Sequence, residues 1–146
     1  MKKLLALITA LSFAAIAVAA DINDLSKKAN AGDAQAQYEL GMAYFDGDGV
    51  DPDPVKATQW FEKAAKQGHN ESIYQYGTAV FTGDGVKADK IMGCAWLYLS
   101  TVDSSEYLCL SQMNGDQRAQ AKAESEKLQA TICLVYPSDP SAEEGR

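Results

Sequence analysis

The sequence predicts an all-α protein, a solenoid of stacked helix-turn-helix units, and three observations predict it. First, the stretch from Gly32 to Thr101 falls on itself, without a gap, when shifted by 36 residues. Gly32 lands on Gly68, Tyr38 on Tyr74, Gly41 on Gly77, Ala43 on Ala79 and Phe45 on Phe81. Second, the chain's two tryptophans, Trp60 and Trp96, sit at the same phase of that period. Third, apolar residues within each unit recur at helical spacing. A fixed period between about 20 and 50 residues marks units that cannot bury their apolar faces alone and stack on their neighbours. Function is therefore expected from a surface rather than from a catalytic pocket.

Met1-Lys2-Lys3 is a short basic start. Leu4 to Ala20 is apolar apart from Thr9 and Ser12 and closes on small residues. This pattern predicts a secretory signal peptide over residues 1–20, cleaved after Ala19 or Ala20, and hence a periplasmic or secreted protein. The alternative is a membrane anchor, but the apolar run is short for a span and ends in alanines rather than in a basic flank. No cysteine follows the small residues, which argues against a lipid-anchored form, and no later run is apolar enough for stable membrane insertion. Without Lys2 and Lys3, the chain has 11 basic and 20 acidic residues, a charge near −9. Such a protein repels nucleic acid and anionic lipid and favours basic partners. The remaining length suits a single domain with a modest core.

The elements follow in order. Residues 21–31 predict an N-terminal capping helix with Leu25 as its main apolar residue and Lys27 and Lys28 in the last turn, favourable to the helix dipole. The first unit, 32–67, opens with Asp33 as a helix cap. Ala36, Leu40, Ala43 and Tyr44 form the apolar stripe, and Gly41 in mid-helix implies close approach of the paired helix. Gly47 and Gly49 end that helix in a loop that Val50 is expected to anchor in the core. Asp53-Pro54 caps the partner helix. Its stripe is Ala57, Trp60, Phe61, Ala64 and Ala65, with the alanines packing the helices tightly around Trp60.

The second unit, 68–103, repeats this with Gly77, a loop at Gly83, Gly85 and Val86, and a second helix from Asp89 to Thr101 carrying Trp96. Residues 104–136 predict C-terminal capping helices: a short one over 104–110, then a polar one from the capping box of Asn114 and Gln117 to about Leu134. Ala119, Ala123, Leu128 and Ile132 are its expected contacts. Residues 137–146 read as a flexible acidic tail.

With these residues placed, the repeat resembles the Sel-one-like repeat (SLR) family, a branch of the tetratricopeptide-type helical solenoids. The first unit matches the family pattern throughout, at Ala36, Gln37, Leu40, Gly41, Tyr44, Gly47, Gly49, Val50, Asp53, Lys56, Ala57, Trp60, Ala64, Ala65 and Gly68. The second keeps Gly77, Gly83, Gly85, Val86, Asp89 and Trp96. It departs at Ser72, Ile73, Tyr76, Val80, Met92, Gly93, Ser100 and Thr101. The resemblance implies a right-handed superhelix of helix pairs and a role as an adaptor, regulator or inhibitor that holds another protein. Small exported members include periplasmic regulators and immunity proteins. Some cysteine-rich members bind or slowly hydrolyse β-lactams, but this chain lacks their regular cysteine pair in each repeat.

Candidate chemistry is sparse. Asp46, Asp48, Asp51 and Asp53 crowd one loop, but counting twelve positions from Asp46 or Asp48 reaches Ala57 or Gln59, not the glutamate an EF-hand needs. A glycine turn followed by a helix cap explains the loop, so no metal site is assigned. His69, the only histidine, has no neighbouring ligands or nucleophile at useful spacing and is expected to be a solvated residue near a helix cap. Three cysteines in an exported chain suggest one disulfide and one thiol, with no C-x-x-C pair. In a hairpin turning near Val102-Asp103, Cys94 and Cys109 lie at similar heights. Cys133 lies roughly 30 Å from the turn near Asn114, and a bridge needs Cα atoms within about 7 Å. The favoured pair is therefore Cys94 and Cys109, with three reduced thiols as the alternative.

Tyr38, Met42 and Phe45 point away from the paired helix, and Tyr74, Thr78 and Phe81 repeat them. In a helical solenoid the first helices line the concave face. Tyr38, Met42, Tyr74 and Thr78 are therefore the candidate partner-binding residues, with packing between units as their alternative role; Phe45 and Phe81 are expected to pack. The expected function is an exported module that holds a protein or peptide on its concave face, with no catalysis and no cofactor. The alternative, a small-molecule binder or weak β-lactam-type hydrolase, requires a closed pocket with a nucleophile beside a base.

Overall fold

The computed structural model describes residues 22–101 and 105–135; the expected signal peptide and acidic tail lie outside them. Among the described residues there are seven helices and no strands: α1 (22–30), α2 (Ala34–Asp46), α3 (Pro54–Lys66), α4 (Asn70–Thr82), α5 (Lys90–Leu97), α6 (Ser105–Gln112) and α7 (Gly115–Val135). Helices α2 and α3 form one antiparallel pair and α4 and α5 the next. The pairs stack through α3 and α4, and α7 then packs on α5.

Helices α2, α3, α5 and α7 start where a side chain replaces the missing intrahelical acceptor. The Asp33 carboxylate accepts from Ala36 N at 2.8 Å, Asp53 from Lys56 N at 3.0 Å and Asp89 from Met92 N at 3.0 Å. Asn114 and Gln117 make a reciprocal box: Gln117 N donates to Asn114 Oδ1 at 2.9 Å, and Asn114 N donates to Gln117 Oε1 at 3.0 Å. Helices α2 and α4 end on Gly47 and Gly83, at φ of 77° and 87°, whose amides donate to Ala43 O and Ala79 O. That left-handed conformation is open to glycine at little steric cost.

The two loops are held differently from the sequence expectation. Val50 is only half-buried and Val86 is 37% exposed, so neither anchors its loop in the core. Backbone bonds do it instead: Asp53 N donates to Tyr44 O at 2.9 Å and Asp89 N to Val80 O at 2.8 Å. Thr58 Oγ1 adds a bond to Asp84 O at 2.9 Å, tying the second loop to α3. A satisfied backbone loop leaves valine no void to fill.

The core has three parts: Ala29, Ala36 and Leu40 at the N-terminal end, Ala65, Ile73 and Trp96 in the middle, and Phe81, Cys94, Leu97, Cys109, Met113 and Ala121 at the C-terminal end. In α1 the buried position falls to Ala29, with Leu25 packed beside it. Phe61, 2% exposed, lies under Gly41, where a methyl would sit 2.6 Å from its Cε1. Phe61, rather than the half-buried Trp60, therefore fills the α2–α3 seam, and Lys63 Nζ covers Trp60 at 3.6 Å from the ring centroid. Trp96 is buried, meeting Tyr76 edge-on at 5.2 Å with Leu128 and Ile132 of α7 packed on its cluster.

Three boundaries or registers differ from expectation. Helix α5 stops at Leu97 rather than Thr101, because its last turn tightens: Leu99 N donates to Trp96 O at 3.0 Å and Ser100 N to Leu97 O at 3.2 Å. Phe45 is 49% exposed rather than packed, whereas Phe81 is 2% exposed. In α7, Ala119 and Ala123 face solvent, and the inward stripe is the buried Ala121 and Ser125 with the half-buried Leu128 and Ile132. Leu128 and Ile132 have the apolar area to set that register, and an alanine does not. A disulfide joins Cys94 and Cys109, both fully buried with Cα atoms 5.8 Å apart, and staples α6 to α5. Cys133 is exposed and free.

Candidate interaction surface

Helix α2 presents Tyr38, Glu39, Met42 and Asp46 along one side, spaced as neighbours on successive turns. With Leu25 of α1 beneath and Asp48 of the loop at the end, they line an open cleft of about 440 Å³. Tyr38 is held from below: its ring stacks on His69 at 5.0 Å and tilts against Phe61 at 6.1 Å. Burial, followed by the carboxylates of Glu71 and Asp46, raises the Tyr38 phenol above its ordinary value, so it stays a neutral donor. Met42 Sδ accepts from Gln75 Nε2 at 3.6 Å, a contact across from α2 to α4.

The four candidate residues do not share one groove. Thr78 lines a second, smaller cavity of about 260 Å³, between α3 and α4, walled by Phe45, Phe61 and Gln75. Tyr74 turns instead onto the C-terminal core around Phe81 and Leu97. Tyr38 and Met42 remain together at the open cleft.

His69 is not a solvated residue. It is the N-cap of α4, and its side chain is 14% exposed. Nδ1 accepts from Ser72 N at 3.3 Å, which leaves the proton on Nε2 to donate to Gln35 Oε1 at 2.9 Å. Ser72 Oγ also lies 3.1 Å from Nδ1, a nucleophile beside a base that sequence spacing did not reveal. Ser72 is 0% exposed, so no substrate reaches that hydroxyl, and the contact serves the cap.

Sequence reasoning also missed a buried polar bridge between turns. Gln37 Nε2 donates to Ala29 O at 3.0 Å, and Gln67 Nε2 donates to Gln37 Oε1 at 2.7 Å. The one available signal was Gln37 inside the repeat pattern, which apolar periodicity passes over.

Charge separates by helix. Helices α2 and α4 contain no lysine or arginine, whereas the α3 lysines are engaged: Lys56 with Asp53 at 3.2 Å, Lys66 with Glu62 at 2.7 Å and Lys63 over Trp60. Among the described residues no cluster of histidine, cysteine and carboxylate side chains could hold a metal ion, and no helix is long and apolar enough to cross a membrane.

The Sel1 repeat family model matches residues 34–69 and 70–100, the two helix pairs described above. The chain carries two Sel1 repeats. Its fold is the one expected, an all-α solenoid of the SLR type. It is similar in structure to a protective antigen present in uropathogenic Escherichia coli strains that displays an SLR fold, with a TM-score of 0.71 and 28% identity. The match covers 78% of this chain and 26% of that one, so the chain spans about a quarter of that protein's length. A Sel1 repeat protein from Oxalobacter formigenes also matches, at 26% identity over 68% of each chain with a TM-score of 0.49. A comparison with curated proteins finds no match. Sel1 repeats generally mediate protein–protein interaction, and SLR proteins are typically non-catalytic scaffolds.

Proposed function

We propose that this protein is an exported, non-catalytic binding module that holds a protein or peptide segment in the cleft between α1 and α2. The observation that carries the reading is the open cleft on α2, where the half-buried Tyr38 and Met42 stand beside carboxylates. An adaptor, regulator or immunity-type role follows from which partner is held. Export rests on the leader-like pattern of residues 1–20, and the buried Cys94–Cys109 disulfide suits an oxidising compartment. Amino-terminal sequencing of protein recovered from a periplasmic fraction should begin at Ala20 or Asp21.

The binding role is tested by capture. Met42→Arg alters the cleft without removing a core residue, so its melting temperature should stay near that of the parent while partner capture from periplasm is lost. Tyr74→Ala should instead lower the melting temperature, because Tyr74 packs on the C-terminal core. Capture of the same partners by Met42→Arg would place binding elsewhere and defeat the proposal.

A further inference from the structure

We infer that the α1–α2 cleft takes a cationic segment of a partner polypeptide, with lysine or arginine on its acidic rim and an apolar side chain on its floor. This inference rests on the binding-module reading and names the chemistry of its partner. The floor is Leu25, Tyr38 and Met42; the rim is Glu39, Asp46 and Asp48. None of the residues lining the cleft is basic. Among the described residues no ion pair engages Glu39, Asp46 or Asp48, although four lysine–carboxylate pairs form elsewhere. Among the described residues Glu39 accepts from the neutral Gln35 amide alone, at 2.8 Å.

Three unneutralised carboxylates around an apolar floor repel an acidic peptide and a nucleic acid backbone alike. They also do not converge as metal ligands would, since no such group exists among the described residues. Carboxylates set apart around an apolar patch instead fit separate cationic side chains on one chain, complementarity that steers encounter and fixes register. The spacing agrees. Glu39 and Asp46 are seven residues apart on α2, about 10 Å along the axis. Three residues of a polyproline II segment span about 9 Å, and its three residues per turn bring positions i and i+3 back to one face. A segment in that conformation with two cationic residues three positions apart therefore presents both to the carboxylates, with an apolar residue between them beside Met42 and Tyr38.

The test uses two fluorescent synthetic peptides that differ only in charge, one with a Lys-Leu-Val-Lys core and one with a Glu-Leu-Val-Glu core, titrated into the full secreted chain by fluorescence anisotropy. The lysine peptide should bind at least about tenfold tighter than the glutamate peptide, and raising salt from about 0.05 M to about 0.5 M should weaken it by a similar factor. The combined Glu39→Gln, Asp46→Asn, Asp48→Asn variant should lose at least about tenfold of that affinity. Glu124→Gln with Glu126→Gln, on the distant α7, should lose none, with unchanged circular dichroism in both variants. Equal binding of the two peptides, no binding of either at millimolar concentration, or full affinity in the neutralised variant overturns the inference. If partner capture still depends on Met42 in any of those cases, only the cationic chemistry fails. If Met42→Arg retains capture as well, the binding-module reading falls with it.

Discussion

Gly93→Ala separates packing in this structure from the logic of the repeat. At the same phase the first unit carries Ala57, so a consensus argument makes the change stabilising. Helix propensity agrees, at about 1 kcal/mol in favour of alanine. The structure gives the opposite sign. A methyl on Gly93 would lie 2.5 Å from Phe81 N and 2.6 Å from Phe81 Cα, both backbone atoms of the facing helix that cannot swing aside. Helix α5 would have to retreat from α4 by about 1 Å, disturbing Phe81, Cys94 and Leu97 in the best-buried part of the core. Overpacking of this kind costs about 1–3 kcal/mol, and a clash with backbone belongs at the upper end. Offset by propensity, the net loss is about 2 kcal/mol. At about 3–6 °C per kcal/mol for a domain of this size, the melting temperature should fall by roughly 6–12 °C. Thermal unfolding followed by circular dichroism at the helix band measures it, with Gly115→Ala as control because nothing lies within 4 Å of that position. A Gly93→Ala melting temperature equal to or above the parent's would refute the packing argument.

Three further outcomes follow from named contacts. Reducing the Cys94–Cys109 disulfide, which closes a loop of sequence separation 15, should cost about 3 kcal/mol, seen as a lower urea midpoint in the presence of reductant. Burial, then the Glu62 carboxylate, pushes the Tyr76 phenol up to about 12. Raised above its unfolded value near 10, it supports folding fully below about pH 10, and that support disappears as pH rises towards 12. An ultraviolet titration should therefore show a late-ionising tyrosine component near pH 12 that is lost in Tyr76→Phe. The Lys56 amide bond holds the Asp53 carboxyl below its ordinary value. Its support is present above about pH 3.9 and lost as pH falls through the lower folded value, so Asp53→Asn should flatten the acid limb of the stability curve.

Much of the fold was legible because backbone-level signals repeat. Asp33, Asp53 and Asp89 announce helix starts, Gly47 and Gly83 announce helix ends, and the Asn114–Gln117 box marks α7, each through a local bond that needs no tertiary context. Registers with little apolar area were not legible. In α7 the alanines at 119, 121 and 123 are interchangeable by hydrophobicity, and only the fit of Leu128 and Ile132 against α5 selects Ala121. At the candidate surface the period suggested four equivalent residues, yet Tyr38 and Tyr74 share a phase and not an environment. Tyr38 meets His69 of the next unit, whereas Tyr74 meets the disulfide-bonded core of the chain's last helices. A repeat predicts direction from the helix axis; what stands there is decided by the neighbour.

That difference in neighbours also accounts for where the open cleft lies. Trp60 and Trp96 occupy one phase, but Trp96 is buried because α7 lays Leu128 and Ile132 onto its cluster in place of a further repeat. The stapled α6 and Met113 cover the neighbouring cluster around Phe81 and Leu97. At the other end, among the described residues, the outer side of α2 meets α1, which offers Ala29 and Leu25, too little to cover both Leu40 and the outer stripe of Tyr38 and Met42. The C-terminal end thus concentrates the buried apolar contacts and the covalent link, and the N-terminal end, among the described residues, keeps an open floor ringed by carboxylates that form no ion pair. Stability and access are placed at opposite ends of the same two repeats, so substitutions around the disulfide should act on unfolding and those around Met42 on partner binding, with little coupling between them.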